Sequence, residues 1–353
     1  MDTTENPIRV KVISPLPERW FKHMLPTEIP NWGRCLFRFS PDVQDYDWLV
    51  IYEDLPGLPD VPRNQRCERL QCPTEHTLLV TSEPPSIKYY GKRFTHQFGQ
   101  LLTSQPETTL PHPERIYQQS GLVWIYGVGF SGGERSFEKM RDNPPETKPH
   151  DLSMVFSGKR MRMTLHNRRF RFMQELVERL PEMHVFGRMP GHRPLDNKAD
   201  AFDNYRYSII LENHIEKHHW TEKLADAFLG MTLPFYVGCP NVSDYFPEES
   251  VIPIDIYAPV DEAVQIIRQA IENKAYEKRL PAIQEARRRV LFEHNLFSIL
   301  SREIEKRHDP SRTVSEGAKI CSRHALRRGN PKVWAEDMLG KIRTRVRYLE
   351  LFS

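Results

Sequence analysis

A strand–helix–strand pattern between Tyr205 and Gly238 constrains the fold more than any other stretch of the chain. Tyr207 to Leu211 and Leu233 to Val237 are short apolar runs, typical of buried strands. Between them, apolar residues recur at the three- and four-residue spacing of an amphipathic helix. These residues are Leu224, Ala227, Phe228 and Met231. Two strands joined by a helix within about 35 residues predict a parallel crossover unit of an α/β sheet.

The predicted helix begins at Thr221-Glu222-Lys223, and this start favours an anion site. Thr221 is a good N-cap, and Glu222 suits the positive end of the helix dipole. Lys223 does not suit that end, and Lys217, His218 and His219 add potential cations nearby. A diphosphate would satisfy both the free backbone N–H groups and the surplus positive charge. The simpler interpretation is a capped helix start with a solvated lysine.

An ordered series of motifs runs from Ile210 to Asp255. The series consists of Glu212-Asn213, Thr221-Glu222-Lys223, Gly238-Cys239-Pro240, Phe246-Pro247-Glu248-Glu249-Ser250 and Asp255. In order and spacing it resembles the donor-binding signature of the α1,3-fucosyltransferases, glycosyltransferase family 10. His219 departs from that signature, because some members carry a tyrosine there.

The resemblance implies an inverting transfer of L-fucose from GDP-fucose to a glycan hydroxyl, O3 of GlcNAc or glucose. Lys223 and Arg188 would neutralise the diphosphate, Glu222 would hold the ribose, and Asn213 would contact the base. Thr221 completes the donor site, and further candidate contacts are Glu212, His219 and Arg169. A transferase for another nucleotide sugar and a non-catalytic glycan-binding protein on the same scaffold remain alternatives.

Glu83 is the candidate catalytic residue of the first half. It follows the predicted strand Thr77 to Thr81, at the sheet edge where open α/β folds bind ligands. The double proline after it restricts the backbone, and partial desolvation there can raise the pKa of a carboxylate toward that of a general base. Position alone favours a solvated loop glutamate, whereas the resemblance implies a base acting on the acceptor hydroxyl. Glu53 and Asp54, after another predicted strand, are the rival carboxylates.

Basic residues precede the signature. Arg188 follows a predicted strand and can bind a phosphate bidentately. Family members have an arginine at this distance ahead of the position of Asn197-Lys198; an exposed, salt-bridged arginine is the alternative. Arg160, Arg168 and Arg169 are predicted to form mostly a solvated helix face, although Arg169 lies near a family arginine.

The histidines near the signature raise the question of a metal. His214 and His218 are four residues apart with Glu212 close by, but they lie in a predicted loop and form no His-Glu-x-x-His motif. A diphosphate held by Lys223, Arg188 and a helix N-terminus needs no cation. We therefore predict neither a catalytic metal nor a cofactor.

Length and composition predict the domain organisation. The chain has 353 residues, of which 39% are hydrophobic and 27% charged, with a net charge of +3. This describes a soluble protein of two domains. We predict an α/β fold with two Rossmann-like domains facing a cleft, the GT-B type of glycosyltransferase. The predicted ranges are 1–145 for acceptor binding, 151–306 for GDP-sugar binding and 307–353 for a basic helical tail, with a linker over 127–150.

Cysteines and apolar runs bear on the compartment. The chain has an odd number of cysteines and no Cys-x-x-Cys pair, which favours reduced thiols. We predict no signal peptide, because the first residues have neither a basic start nor a long apolar core, and no run approaches eighteen apolar residues. We expect a cytoplasmic protein, with peripheral contact at a membrane surface as an addition and a Golgi location only for a trimmed chain.

The tail is predicted to form a basic amphipathic helix. Its apolar positions are Leu339, Ile342, Val346 and Leu349. Such a helix can bind an anionic membrane surface, but we favour packing of its apolar side on the chain's own domain. We predict no nucleic-acid partner, because neither a recognition motif nor interleaved aromatic residues occur.

Overall fold

The computed structural model describes residues 6–57, 60–158 and 164–352, and this part of the chain forms two compact units. The first unit comprises Met1–Gly121 and Leu296–Leu351, and the second comprises Leu122–Asn295. These ranges correct the predicted boundaries. The predicted linker belongs to the second unit, where the Phe137 ring packs edge-on against Phe292 at 5.9 Å. The tail domain predicted from residue 307 is instead part of the first unit.

The first unit is built on a seven-stranded sheet of order β2-β3-β1-β4-β6-β7-β8. Its elements before residue 122 are β1 (Ile8–Ile13), α1 (Arg19–Lys22), β2 (Asn31–Trp32), β3 (Cys35–Arg38), β4 (Trp48–Tyr52), β5 (Cys67–Arg69), β6 (Thr77–Val80), α2 (Lys92–Thr95), β7 (Gln100–Thr103) and β8 (Arg115–Tyr117). Apart from the antiparallel β2–β3 pair, the neighbouring strands are parallel. Every residue of β4 and β6 is buried, as expected for central strands of a covered parallel sheet.

The second unit is built on a five-stranded, parallel sheet of order β10-β9-β11-β12-β13. Its elements are α3 (Phe137–Asp142), β9 (His150–Val155), α4 (His166–Arg179), β10 (His184–Phe186), β11 (Tyr205–Leu211), α5 (Glu222–Leu229), β12 (Leu233–Val237), β13 (Ile252–Pro253), α6 (Val260–Glu272) and α7 (Ala275–Phe292). The β11–α5–β12 segment confirms the predicted crossover. The α/β class, with two Rossmann-like units, is likewise confirmed.

The prediction of one long helix from Ala282 to Lys306 is wrong. Two helices occupy that range, because α7 ends at Phe292. The backbone N–H of His294 bonds to the carbonyl of Arg289, five residues back, which closes the helix end. The next helix, α8 (Leu296–Glu305), belongs to the first unit.

The remaining elements of the first unit are β14 (Lys319–Cys321), α9 (Arg323–Gly329) and α10 (Pro331–Phe352). A disulfide links β14 to an earlier strand of the same unit. Cys67 in β5 is bonded to Cys321 in β14, and these two strands pair antiparallel. The expectation that all thiols are reduced is therefore wrong for this pair. The odd cysteine count concealed it, because partners separated by 254 residues leave no local spacing signal.

The C-terminal helix α10 packs through a different side from the predicted one. Val333 and Tyr348 are buried, whereas Leu339, Ile342 and Val346 are exposed by 56%, 53% and 52%. The favoured packing of this apolar row on the chain's own domain is therefore wrong for these three residues. No helix in the described ranges is both long and apolar enough to span a bilayer.

Candidate active site

A cavity of about 680 Å³ lies beside the carboxyl ends of β9, β10 and β11 in the second unit. Its charged lining residues are Arg169, Arg188, Lys198, Glu222 and Lys223. Apolar lining comes from side chains such as Val155, Phe156, Met173, Met189 and Leu195. Ligands of open α/β sheets bind at this edge of the strands. The excess of cations suits an anionic group.

Glu212 organises the N-terminus of α5 from beneath. It follows β11 directly and is fully buried. Its carboxylate accepts hydrogen bonds from the backbone N–H of Thr221 at 2.8 Å and from the Thr221 hydroxyl at 2.6 Å. The same hydroxyl accepts the backbone N–H of Lys223 at 3.3 Å, so Thr221 is the N-cap that the sequence predicted. Both Glu212 and Thr221 therefore act behind the cavity rather than at its surface.

Lys223 lies between two carboxylates. Its Nζ is 3.3 Å from Glu212 Oε2, 3.2 Å from Glu222 Oε1 and 3.0 Å from Thr221 Oγ1. Burial alone would lower its pKa, but the two glutamates raise it, so the ammonium stays charged. The lysine charge predicted to be surplus is thus compensated within the protein. A bound anion would have to attract an ammonium that already has partners.

Glu222 is held ionised by two lysines. Burial would raise its pKa, but Lys223 and Lys198 bring that pKa down to about 2. Lys198 Nζ lies 3.9 Å from Glu222 and 3.0 Å from Asp226 Oδ2. The carboxylate of Glu222 can accept hydrogen bonds from sugar hydroxyls at neutral pH.

Lys198 and Asp226 are site residues that sequence reasoning missed. Asp226 is buried on α5 and accepts the backbone N–H groups of Ile125 and Tyr126 at 3.1 and 2.9 Å. It thereby fixes the acceptor that holds Lys198 against the cavity. An aspartate on the otherwise apolar side of a predicted helix was the available signal, since buried carboxylates need partners.

The two candidate arginines differ in their surroundings. Arg169 is buried in α4, and its guanidinium donates to Asn213 Oδ1 at the cavity wall. Burial lowers its pKa, while Glu212 and Glu222 oppose that effect. Arg188 also lines the cavity and is exposed. Arg168 stacks on Tyr257, 4.5 Å from the ring centre.

Arg160 lies outside the described residues.

The histidines near α5 are not cations. Burial lowers the pKa of His214 to about 3 and that of His219 well below its ordinary value. The pKa of His218 is also lowered, and its ring bonds to the Tyr245 hydroxyl at 2.6 Å. The expected cationic role of His218 and His219 is therefore wrong, and Lys217 is exposed. Across the described ranges, no group of three or more His, Cys, Asp or Glu side chains is arranged to hold a metal.

Glu83 lies on a tightly bonded turn of the first unit, just after β6. Its side chain is exposed, and its carbonyl accepts a hydrogen bond from Gln105 at 2.8 Å. Its rival Glu53 is buried beneath the turn, and Asp54 Oδ1 accepts the backbone N–H of Leu55 at 2.9 Å. Glu83 is thus the most accessible of the three carboxylates.

Comparison with known proteins finds similarity to one family within the second unit. Residues 150–280 match the model of the C-terminal part of glycosyltransferase family 10 (fucosyltransferase). The chain is 31% identical over 72 residues to the α-(1,3)-fucosyltransferase FucT of Helicobacter pylori, covering 20% of this chain and 15% of that protein. It is 28% identical over 108 residues to human 4-galactosyl-N-acetylglucosaminide 3-α-L-fucosyltransferase 9, covering 30% of each chain. The matched segments thus span less than a third of either relative.

A solved α1,3-fucosyltransferase with GDP-fucose is 14% identical to this chain, with 97% of this chain and 92% of that one covered and a TM-score of 0.43.

Proposed function

We propose that this chain, whose residues 150–280 belong to glycosyltransferase family 10, is an inverting fucosyltransferase using GDP-fucose. The acceptor is a glycan hydroxyl, O3 of GlcNAc or glucose. The observation that carries the proposal is the cation-lined cavity at the start of α5, whose lining residues, apart from Phe130, lie within the family match. The curated relatives named above are α1,3-fucosyltransferases, which supports fucose as the transferred sugar.

The donor site would stabilise the departing diphosphate. As the bond between the anomeric carbon and the phosphate oxygen breaks, negative charge accumulates on GDP. Lys223, Arg169 and Arg188 line the same cavity and would neutralise that charge. Preorganised charges of this kind are usually the largest contribution to such a step. Glu222 would accept hydrogen bonds from the ribose, and Asn213 would contact the base.

Glu83 would act as the general base. It removes the proton of the acceptor hydroxyl while that oxygen bonds to the anomeric carbon. Displacement from the side opposite the diphosphate inverts the configuration of the sugar. A carboxylate base at the reacting hydroxyl contributes on the order of 10²- to 10⁴-fold to the rate. No metal takes part in the proposed reaction, so we expect EDTA to leave turnover unchanged.

The direct test is incubation with GDP-fucose and a glycan panel, with mass spectrometry detecting addition of a deoxyhexose. We expect Lys223→Ala and Glu83→Gln each to lower kcat by about 100-fold or more while the protein remains folded. The exposed Lys217 lies in the same loop as the α5 N-terminus, so Lys217→Ala is the matched control and should transfer normally. Wild-type turnover in Lys223→Ala would contradict the proposed site.

Two outcomes would identify the alternatives. A thermal shift with UDP or ADP in place of GDP indicates another nucleotide sugar, because only a bound ligand raises the melting temperature. Glycan binding without transfer, unchanged in Glu83→Gln, indicates a non-catalytic binding protein.

The C-terminal helix supports an additional, peripheral membrane role. Trp334, Met338 and Ile342 form an exposed apolar row at four-residue spacing on α10. Lys341 and Arg345 follow one edge of this row, as in helices that lie on anionic membranes. We expect sedimentation with vesicles containing phosphatidylserine, weakened by salt and by Ile342→Glu. Equal sedimentation with neutral phosphatidylcholine vesicles, or none at all, would refute this role.

A further inference from the structure

Hydrogen-bond donors from one loop converge on the buried side chain of Glu53 in the first unit. Glu53 follows β4, and its Oε1 accepts the backbone N–H of Ser82 at 2.5 Å and the Ser82 hydroxyl at 2.6 Å. The backbone N–H of Glu83 lies 3.3 Å from the same oxygen. Lys88 and the Tyr90 hydroxyl also bond to this carboxylate. A single side chain thereby fixes the peptide groups on both sides of Ser82.

The backbone of Glu53 adopts a conformation that residues other than glycine rarely adopt. Its φ is +75°, in the left-handed region, which is costly for a residue with a Cβ atom. Such a conformation is tolerated only where surrounding contacts enforce it. Here the bonds to the 82–90 loop supply that enforcement.

Glu53 is a fixed charge. Burial would raise its pKa, but Lys88, Ser82 and Tyr90 hold that pKa below its ordinary value. The carboxylate is therefore ionised at neutral pH, and both its oxygens are occupied by donors. It is poorly suited to accept a proton from a substrate.

We propose that Glu53 is a positioning residue that holds Glu83 in its productive orientation. The proposal rests on the role of Glu83 in the proposed function. Glu83 is followed by two prolines, whose rings restrict the backbone on its C-terminal side. Glu53 restrains the N-terminal side through Ser82 and the Glu83 N–H. With both sides restrained, the exposed carboxylate of Glu83 stands on a rigid turn.

The test is a double-mutant cycle of Glu53→Gln and Glu83→Gln, measured as kcat with GDP-fucose and an acceptor. Displacing a catalytic group by about 1 Å can cost up to roughly 100-fold, so we expect Glu53→Gln to lower kcat by about 10- to 100-fold. The KM for GDP-fucose should not change. If Glu53 acts through Glu83, adding Glu53→Gln to Glu83→Gln causes no further loss. Additive losses, or a normal kcat in Glu53→Gln, would overturn the proposal.

A matched control separates positioning from stability. Glu68 pairs with buried Lys11 at 2.8 Å in the same unit, so Glu68→Gln also removes the carboxylate of a lysine pair. It should retain kcat even where its melting temperature falls as far as that of Glu53→Gln. If Glu53→Gln fails to fold, the pair Glu53→Gln with Lys88→Met removes both charges and takes its place. Normal Glu53→Gln turnover alongside an impaired Glu83→Gln refutes only the positioning role, whereas a fully active Glu83→Gln refutes the proposed base.

Discussion

Each unit of the molecule places a buried glutamate at the carboxyl end of a buried parallel strand. Glu53 follows β4 in the first unit, and Glu212 follows β11 in the second. Each accepts both the backbone N–H and the hydroxyl of a Ser or Thr, and in each case the next residue is a candidate functional glutamate. Glu53 also pairs with Lys88, and Glu212 pairs with Lys223. Both buried glutamates therefore have the same structural role. Each fixes the backbone just before a glutamate whose carboxylate is exposed or lines a cavity.

The two sites differ in how far apart their partners lie along the chain. Glu212 and Thr221 are 9 residues apart, whereas Glu53 and Ser82 are 29 apart. The arrangement around Glu53 also requires a left-handed backbone at that residue, whereas the arrangement around Glu212 does not. A site formed by residues close in sequence can be recognised as a motif, but a site assembled across the crossover between β4 and β6 can be recognised only in the folded structure.

The largest effect expected from breaking this parallel is that of Glu212→Ala. Removing one partner of a buried charged pair costs about 3–5 kcal/mol of unfolding free energy, because Lys223 and the Thr221 N–H lose their acceptor. The α5 N-terminus would also lose its geometry. We expect the GDP-induced thermal shift to disappear in Glu212→Ala and to persist in Glu53→Gln.

Loss of the GDP shift in both variants, or in neither, would show that the two glutamates do not serve separate segments. An apo melting temperature for each variant is the control, since destabilisation alone lowers the baseline without removing the shift.

How much the sequence could predict follows the same division. Apolar periodicity predicted β11, α5 and β12 closely, and Thr221 as the N-cap is confirmed by its geometry. The compensation of Lys223 by Glu212 was not predicted, because both were assigned to the ligand rather than to each other. Lys198 served only as a landmark in the sequence, since its partner Asp226 lies 28 residues further on, in α5.

The first unit was harder to predict. Glu83 was singled out by its place after a strand, but nothing local connects it with Glu53 or with residues beyond 295. The return of the chain into this unit at Leu296 depends on long-range packing, such as that of Phe37 against Phe297 at 4.7 Å. Strand and helix patterns do not encode which unit a helix joins.

The disulfide tests whether the first unit depends on its distant segment. Cys67–Cys321 anchors the start of α9, where Arg323 donates to the carbonyls of Tyr89 and Tyr90 near the Glu83 turn. Replacing Cys67 and Cys321 by serine should lower the unfolding free energy of this unit by about 2–4 kcal/mol, measured by denaturant titration.

The dissociation constant for GDP should stay at its wild-type value in that double variant, because the donor cavity lies in the second unit. A weakened GDP affinity of more than about threefold, equivalent to roughly 0.7 kcal/mol, would mean that the donor site also depends on the linkage.

The smallest expected effect, and the finest test of the donor side, is that of Lys198→Met. Lys198 supports Glu222 and contributes charge to the cavity, but the N–H groups and Lys223 remain in the variant. We expect about tenfold weaker GDP binding, or about 1.4 kcal/mol, by titration calorimetry. The loss should shrink at high ionic strength, because screening weakens a contribution that is mainly Coulombic. Equal losses for GDP and guanosine would instead assign Lys198 to the nucleoside rather than to the diphosphate.

Asp226→Asn is the matched comparison, since it loosens Lys198 without removing its charge. A smaller loss in Asp226→Asn than in Lys198→Met would show that the charge of Lys198 matters more than its anchoring. Lys198 would then differ from Glu53, whose proposed role is to position another residue.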